Sequence, residues 1–394
     1  MDFELSEDHK MIRQMARDFA EREIKPKVKN LRKKEFPWEH FKKMAELGFA
    51  GANIPVEYGG GGLDSLAVAI FTEEMCRIDA GVGLSVGAGL SLGIEPLKNF
   101  GTDDQKNFWF PKILSGEAIV AYCQTEPGAG SDVAGIKTTG VIEGNEIVIN
   151  GQKQFITNGS VAGLMIVLLT TSPWKKHNCM TMVLVDAKKA KSEGSLIIIK
   201  DEDKMGLHCS PTTSLSFSNC RVPVSNILGF PGFGFKMAMA TLIGSRPMIA
   251  AQGVGIAQGA LELALDYAIT REQFGKKIAE FQLIQAKLAE MKILVEASRL
   301  LTYRAAWLKD KINDVTRSAE YMAEASMAKL FSSRAAKEVV DMALQIHGGA
   351  GYMKDYRISD LYQDVRVLEI YEGASEIQQL IIARSLLRPL GLKV

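Results

Sequence analysis

The chain reads as a mixed α and β, mainly α protein in three successive parts. An N-terminal α-helical domain covers residues 1–118, a middle β-sandwich or barrel covers 119–232, and a C-terminal helical bundle covers 233–394. Three observations predict this. Met11, Ile12, Met15, Ala16, Phe19, Ala20 and Ile24 recur at helical spacing. From about Ile119 short apolar runs alternate with turn residues. The last third returns to helical periodicity, over stretches long enough for a bundle.

The first helix opens at Ser6, an N-cap followed by Glu7 and Asp8, and Pro26 ends or kinks it. A second helix runs from about Phe41 to Leu47. Gly59 to Gly62 form a loop, and Leu66 to Ile78 are helical again. Gly81 to Gly93 alternate small residues with Leu and Val, as in a closely packed helix or the wall of a narrow apolar pocket. Another helix starts at Asp103-Asp104-Gln105 and ends at Pro111 or soon after. In the middle part Asn150-Gly151 is the strongest hairpin signal, and Asn158-Gly159 marks another turn. Leu164 to Leu169, Met180 to Val185 and Leu196 to Ile199 read as strands. Phe233 to Arg271, Phe281 to Leu308 and Ala319 to Ile346 read as long helices, with Pro247 kinking the first or marking its true start.

Composition narrows the function classes. A net charge of +1 makes no case for nucleic acid or an anionic membrane. No apolar run approaches the about 20 residues that span a bilayer. Met1-Asp2-Phe3-Glu4 does not begin a secretory signal and is too acidic for a mitochondrial presequence. The expected compartment is therefore the cytoplasm, or the mitochondrial matrix if a presequence has been removed. Five cysteines without C-x-x-C spacing read as reduced thiols, and five scattered histidines make no metal site.

The stretch with most chemical promise is Ile370-Tyr371-Glu372-Gly373-Ala374-Ser375-Glu376. Glu372 sits between an aromatic residue and a glycine, just before a helix that Ala374 or Ser375 would open. A carboxylate there can point into a cavity, or simply cap a helix start. Gln124 to Asp132 is a polar, glycine-rich loop offering backbone N–H groups to a ligand. Its Gly128-Ala129-Gly130 is no dinucleotide fingerprint, because Val133 stands where the third glycine belongs. Arg271 can cap a helix end or clamp a phosphate. His347, alone, reads as a helix-end or core histidine.

Four loops together resemble one family over essentially the whole chain. They are Tyr122-Cys123-Gln124-Thr125-Glu126-Pro127-Gly128-Ala129-Gly130-Ser131-Asp132, Gly151 to Gly159, Arg271-Glu272-Gln273-Phe274-Gly275-Lys276, and Ile370-Tyr371-Glu372-Gly373. The chain resembles the acyl-CoA dehydrogenases. The resemblance implies a C-terminal four-helix bundle, FAD as cofactor, an acyl-CoA substrate and a homotetramer, a dimer of dimers. It implies Glu372 as catalytic base. It implies Tyr122, Gln124, Thr125, Phe155, Ile156 and Thr157 along the flavin, with Phe155 where many relatives carry Trp. Arg271, Phe274, Phe281, Gln282, Gln345, Gly348 and Gly349 would hold FAD from the neighbouring subunit. Ala374 and Glu376, replacing a common Thr and Gln, would lie near FAD. Ser131, Arg246 and Gly373 would meet the substrate.

By the same resemblance the activity is α,β-dehydrogenation of an acyl-CoA to the 2-enoyl-CoA, electrons passing to an electron-transferring flavoprotein. One branch carries its base directly before the bundle Arg; this chain has Ser245 there, so the resemblance points to Glu372 as the expected base. Glutaryl-CoA enzymes hold a distal carboxylate with an Arg in the 80–95 region. This chain has no Lys or Arg there, which argues against a dicarboxylyl substrate. Gly83, Gly87, Gly89 and Gly244 leave room for a short, branched or cyclic acyl group. Two alternatives stand beside this reading: an enoyl-CoA reductase in a flavoprotein complex, and a non-catalytic scaffold derived from the family.

Overall fold

The computed structural model describes residues 4–32, 35–171 and 179–392; the first three residues, part of the expectation about a leader, lie outside them. Among the described residues the chain begins with seven α-helices: α1 (Glu7–Phe19), α2 (Val28–Leu31), α3 (Trp38–Glu46), α4 (Ser65–Ile78), α5 (Ala80–Ala88), α6 (Glu95–Phe100) and α7 (Asp103–Leu114). Ser6 caps α1 as expected, accepting from the His9 N–H at 3.2 Å. The bend expected at Pro26 is a wide π turn (Ala20–Ile24) followed by a 3-10 turn (Lys25–Lys27). Thr102 and Gln105 form a reciprocal capping box at α7, which stops three residues beyond Pro111.

The middle part is a sheet of eight strands: β1 (Val120–Cys123), β2 (Thr139–Glu143), β3 (Glu146–Thr157), β4 (Leu164–Thr170), β5 (Met180–Asp186), β6 (Leu196–Asp201), β7 (Thr212–Pro223) and β8 (Ile227–Leu228), with α8 (Ala187–Ser192) between β5 and β6. The order is β6-β7-β3-β2-β4-β5-β8, with β1 parallel to β4. β2 touches β4 only at Thr139–Thr170, so two half-sheets fold over a shared core. Alternation along β4 shows the layering. Met165, Val167 and Leu169 face that core, where Ile147, Ile149 and Leu215 also lie. Leu164, Ile166 and Leu168 face the N-terminal helices through Phe71, Met75 and Leu90.

Asn150-Gly151 is not a hairpin. Both lie inside β3, and the β2–β3 turn is Gly144-Asn145, with Gly144 at φ 61°. Gly151 sits where the β3–β7 register slips, at φ 146°, and a Cβ there would lie 2.5 Å from Thr138 Oγ1. The glycine serves a bulge and a close approach rather than a turn.

The C-terminal part holds α9 (Gly234–Thr270), a short hairpin of β9 (Glu272–Gln273) and β10 (Lys276–Lys277), then α10 (Gln282–Lys309), α11 (Ala319–His347), α12 (Arg357–Asp364) and α13 (Ser375–Leu387). α9 runs unbroken through Pro247. A proline frees the carbonyl four residues earlier, and here the buried Tyr321 hydroxyl donates to that Ile243 carbonyl at 3.5 Å. α9 packs against α11 and α10 and reaches across to α4, tying the first and last parts together. Two helical stretches have the length and composition of a membrane span, contrary to expectation: Ala80–Phe100 and Gly234–Thr270. The most apolar 18-residue windows in them are 94% and 78% buried inside the protein, which accounts for their apolarity as core helices.

Candidate active site

Glu372 lies in the turn between a 3-10 segment (Val365–Glu369) and α13, at φ 48°. Gly373 follows at φ 95°, a conformation that favours glycine. This pair of left-handed residues turns the Glu372 side chain toward α9. There the fully buried Ser245 hydroxyl donates to Glu372 Oε2 at 2.6 Å. Among the described residues no acceptor meets the Glu372 backbone N–H. Burial pushes the carboxyl up to about 7, against the opposing pull of the Ser245 hydroxyl and then of the Lys329 and Arg246 charges.

Three more groups frame it. Arg246, on α9, is buried and donates to Ser326 Oγ at 3.1 Å, while its Nε has no partner. Burial lowers it to about 10, with Tyr321 and Glu372 acting to raise it. Lys329, on α11, donates to the Gly373 carbonyl at 2.8 Å. The Tyr371 hydroxyl donates to Gln252 Oε1. Tyr122, at the end of β1, feels the Glu372 charge, and its hydroxyl donates to Gln124 Oε1 at 3.0 Å.

The loop after β1 is built around a buried ion pair. Lys153, from β3, donates to Gln124 O (3.0 Å), Glu126 Oε1 (2.8 Å) and Leu168 O (2.6 Å). The Gln154 N–H donates to Thr125 O at 2.9 Å. Tyr122, Gln124 and Thr125 are thereby set beside Phe155 and Thr157 at the end of β3. Phe155 is 58% exposed at φ 58°, an aromatic face held outward by strained backbone. Ile156 points the other way, into the core, so any contact it makes with a ligand is through its backbone. Ser131 is exposed on the loop.

The remaining predicted residues sit apart. Arg271 caps α9, and Phe274 stands at the tip of the β9–β10 hairpin, 94% exposed, with Phe281 edge-on at 6.1 Å. Gln282 and Gln345 are exposed. Gly348 (φ 58°) and Gly349 follow α11, and a Cβ on either would meet nothing within 4 Å. At Gly349 neither backbone strain nor crowding within the chain calls for glycine, as expected where a ligand approaches the backbone. His347 is a core histidine, stacked on Tyr267 at 4.4 Å.

These features fit FAD. There is an exposed aromatic face, hydroxyls at the two strand ends, an open glycine surface, and a buried Gln378 Oε1 without a partner near the start of α13. Of the glycines expected to enlarge the acyl pocket, Gly83 is crowded by its neighbours. A Cβ at Gly83 would meet Cys76 Sγ at 2.2 Å, so that glycine serves helix packing, whereas at Gly244 the nearest atom is the flexible Lys309 Cε at 3.4 Å, an ordinary contact distance. Gly89 alone of the four faces open space.

Ala374 is the N-cap of α13, with no side-chain cap bond. Ala374→Ser should stabilise the fold by about 0.5–1 kcal/mol, read by urea unfolding, since a serine Oγ accepts from a free N–H of the first turn. An unchanged midpoint would mean that those N–H groups are already satisfied.

Sequence reasoning missed the contributions of Ser245, Lys329 and Lys153. Lys329 alone left a signal, a single cation on a helix face otherwise lined by Ala325, Ser326, Ala328 and Ser332.

Comparison with known proteins agrees with this geometry. The N-terminal, middle and C-terminal domains of acyl-CoA dehydrogenases match residues 6–117, 121–220 and 232–387. A 3-(aryl)acrylate reductase of Clostridium sporogenes is 44% identical, over 97% of this chain and 99% of its own length. The mitochondrial short-chain specific acyl-CoA dehydrogenase of Rattus norvegicus is 42% identical, over 98% of this chain and 91% of its own. Among solved structures, a chain from work on the electron transferring flavoprotein of Acidaminococcus fermentans superposes with a TM-score of 0.94 at 40% identity, over 98% of this chain and 100% of that one. The chain belongs to the acyl-CoA dehydrogenases, a family of FAD-dependent oxidoreductases.

Proposed function

We propose that this enzyme removes the α-proton and β-hydride of a short acyl-CoA thioester, with Glu372 as base. The observation that carries the reading is a carboxylate raised to about 7 beside a buried serine, on a turn whose backbone N–H is free. A base poised near neutrality takes an α-proton efficiently. The free N–H of Glu372 would donate to the thioester oxygen as negative charge builds there, an oxyanion-hole role. Ser245 orients the carboxylate without competing for the proton. Arg246 supplies positive charge to the same cleft. FAD, when bound, accepts the hydride, which no side chain can do. Tyr122, Gln124, Thr125, Phe155 and Thr157 would hold its ring, and Ala374 and Glu376 would lie near it.

Leu84, Ala88 and Ile249 pack in one apolar cluster with Tyr371, directly before Glu372. An apolar acyl group suits that wall, and the kinship with a short-chain enzyme supports a short one. Phe274, nearly all exposed on its hairpin, supports a second copy completing the cofactor site with Arg271, Phe281, Gln282, Gln345, Gly348 and Gly349, within a homotetramer. The electron acceptor proposed is an electron-transferring flavoprotein. Five free, buried thiols suit a reducing compartment such as the cytoplasm.

The test is anaerobic visible spectroscopy of the purified flavoprotein with butyryl-, isobutyryl-, isovaleryl-, cyclohexanecarboxyl- and octanoyl-CoA. Butyryl-CoA or a branched C4–C5 thioester should bleach the flavin. The reductase relative favours a second reading, that the same site runs toward saturation. No bleaching by any saturated thioester, with reoxidation of reduced flavin by an enoyl-CoA, would select it.

A further inference from the structure

We infer that Lys329 is a positioning residue for Glu372, holding the turn that presents the carboxylate and placing a buried positive charge on the peptide next to it. This rests on the reading of Glu372 as base. Lys329 is fully buried on α11, among the residues by which that helix packs on α9. Its ammonium donates to the Gly373 carbonyl at 2.8 Å, and among the described residues no other acceptor meets it. The same carbonyl takes the Gln378 Nε2 at 2.9 Å. Two donors from two helices thus fix the peptide that follows the base. A carbonyl asks only for a neutral donor, and burying an ammonium is costly. A lysine in this place calls for a second reason.

The surrounding charges supply it. Four charged groups act on Lys329: Glu372 from the turn, Arg246 from α9, then Glu369 and Glu376. Glu369 is already paired with Lys337 at 3.0 Å and Arg366 at 3.3 Å. Glu376 is exposed. Arg246 repels. The buried opposite charge left for Lys329 is Glu372. Burial lowers Lys329 to about 8, Glu372 being the strongest influence holding it up. Lys329 is therefore cationic in the same neutral range in which Glu372 must lose its proton.

Lys329 is bonded to the peptide directly after Glu372, and its charge pulls the carboxyl down, so removing that charge should raise the Glu372 pKa. The test follows the pH dependence of flavin reduction by the bleaching thioester in Lys329→Met, Lys329→Gln and Lys329→Arg. The ionised fraction of Glu372 is read separately, by infrared difference against Glu372→Gln in the oxidised flavoprotein without thioester. In the Met and Gln variants the acidic limb should move to higher pH by about one unit or more, with FAD content retained. Gln, which keeps a donor for the Gly373 carbonyl, should recover a higher plateau than Met. Arg, which keeps the charge, should leave the limb near its wild-type position. A limb and infrared midpoint unmoved in Met and Gln would overturn the inference. If neither variant folds, the wild-type infrared titration decides. A Glu372 midpoint as high as the about 8–9 of an unaided buried carboxylate would also overturn it. Normal flavin reduction by Glu372→Gln would instead sink the base assignment itself.

Discussion

Glu372→Gln should retain FAD and bind the CoA thioester, yet reduce flavin at least about 10³-fold more slowly, the upper range for losing a positioned base. The amide fills the same space and still accepts from Ser245, so the turn at φ 48° and 95° has no reason to change. What disappears is the proton acceptor. Ser245 cannot replace it, because a hydroxyl has no accessible basic form near neutrality. In the wild type the rate should fall as pH drops through about 7, where the carboxylate takes up a proton. The folded-state value lies above the ordinary 4.5, so protonated Glu372 favours the fold and its ionisation opposes it. Its contribution to stability is therefore full below 4.5 and is lost between 4.5 and about 7 as pH rises. The amide variant carries no such loss, so it should be more stable than wild type above pH 7. Stopped-flow bleaching and urea unfolding at pH 8 check the two halves. Fast reduction by the variant would remove Glu372 from the mechanism. A less stable variant would mean that the carboxylate is less desolvated than its surroundings imply.

Much of the fold was legible because hydrophobic periodicity is local. The α9, α10 and α11 segments and strands β4 and β5 lie where their apolar patterns placed them. Errors arose where a distant residue decides a local conformation. Gly151 looked like a hairpin turn, yet its glycine answers to Thr138 across the sheet. Pro247 looked like a kink or a start, yet Tyr321, 74 residues away on α11, takes up the freed carbonyl. The site shows the same division. Glu372 was singled out through the resemblance of its loop. Gly83 was read as space, though Cys76 of the neighbouring helix fills it. Ser245 and Lys329 could not be assigned their roles, because nothing near them in the chain mentions a carboxylate.

Lys153→Met should cost about 3–5 kcal/mol of stability, the usual penalty for breaking a buried ion pair from one side. Three acceptors take the three ammonium protons of Lys153, and its side chain is wholly removed from solvent. Burial lowers its pKa, and the Glu126 charge pulls it back. Glu126 is nearly as buried and also accepts the Lys137 and Thr138 N–H groups, at 2.6 and 3.0 Å. Methionine matches the length of the lysine stem but leaves that carboxylate without its cation, and leaves the Gln124 and Leu168 carbonyls without a donor. The damage should also reach the cofactor. Gln124 and Glu126 are the points at which Lys153 ties the loop after β1 to β3, and that loop carries the residues proposed to hold the ring. FAD content should therefore fall at temperatures where the variant is still folded. Glu126→Gln added to Lys153→Met should recover part of the stability, because it removes the stranded charge, while the two unbonded carbonyls keep the recovery incomplete. Urea unfolding of the three proteins, with flavin per chain from absorbance, separates the terms. A Lys153→Met variant within about 1 kcal/mol of wild type would mean that water reaches Glu126. The loop would then owe its position to Phe155 and the strand ends rather than to the ion pair.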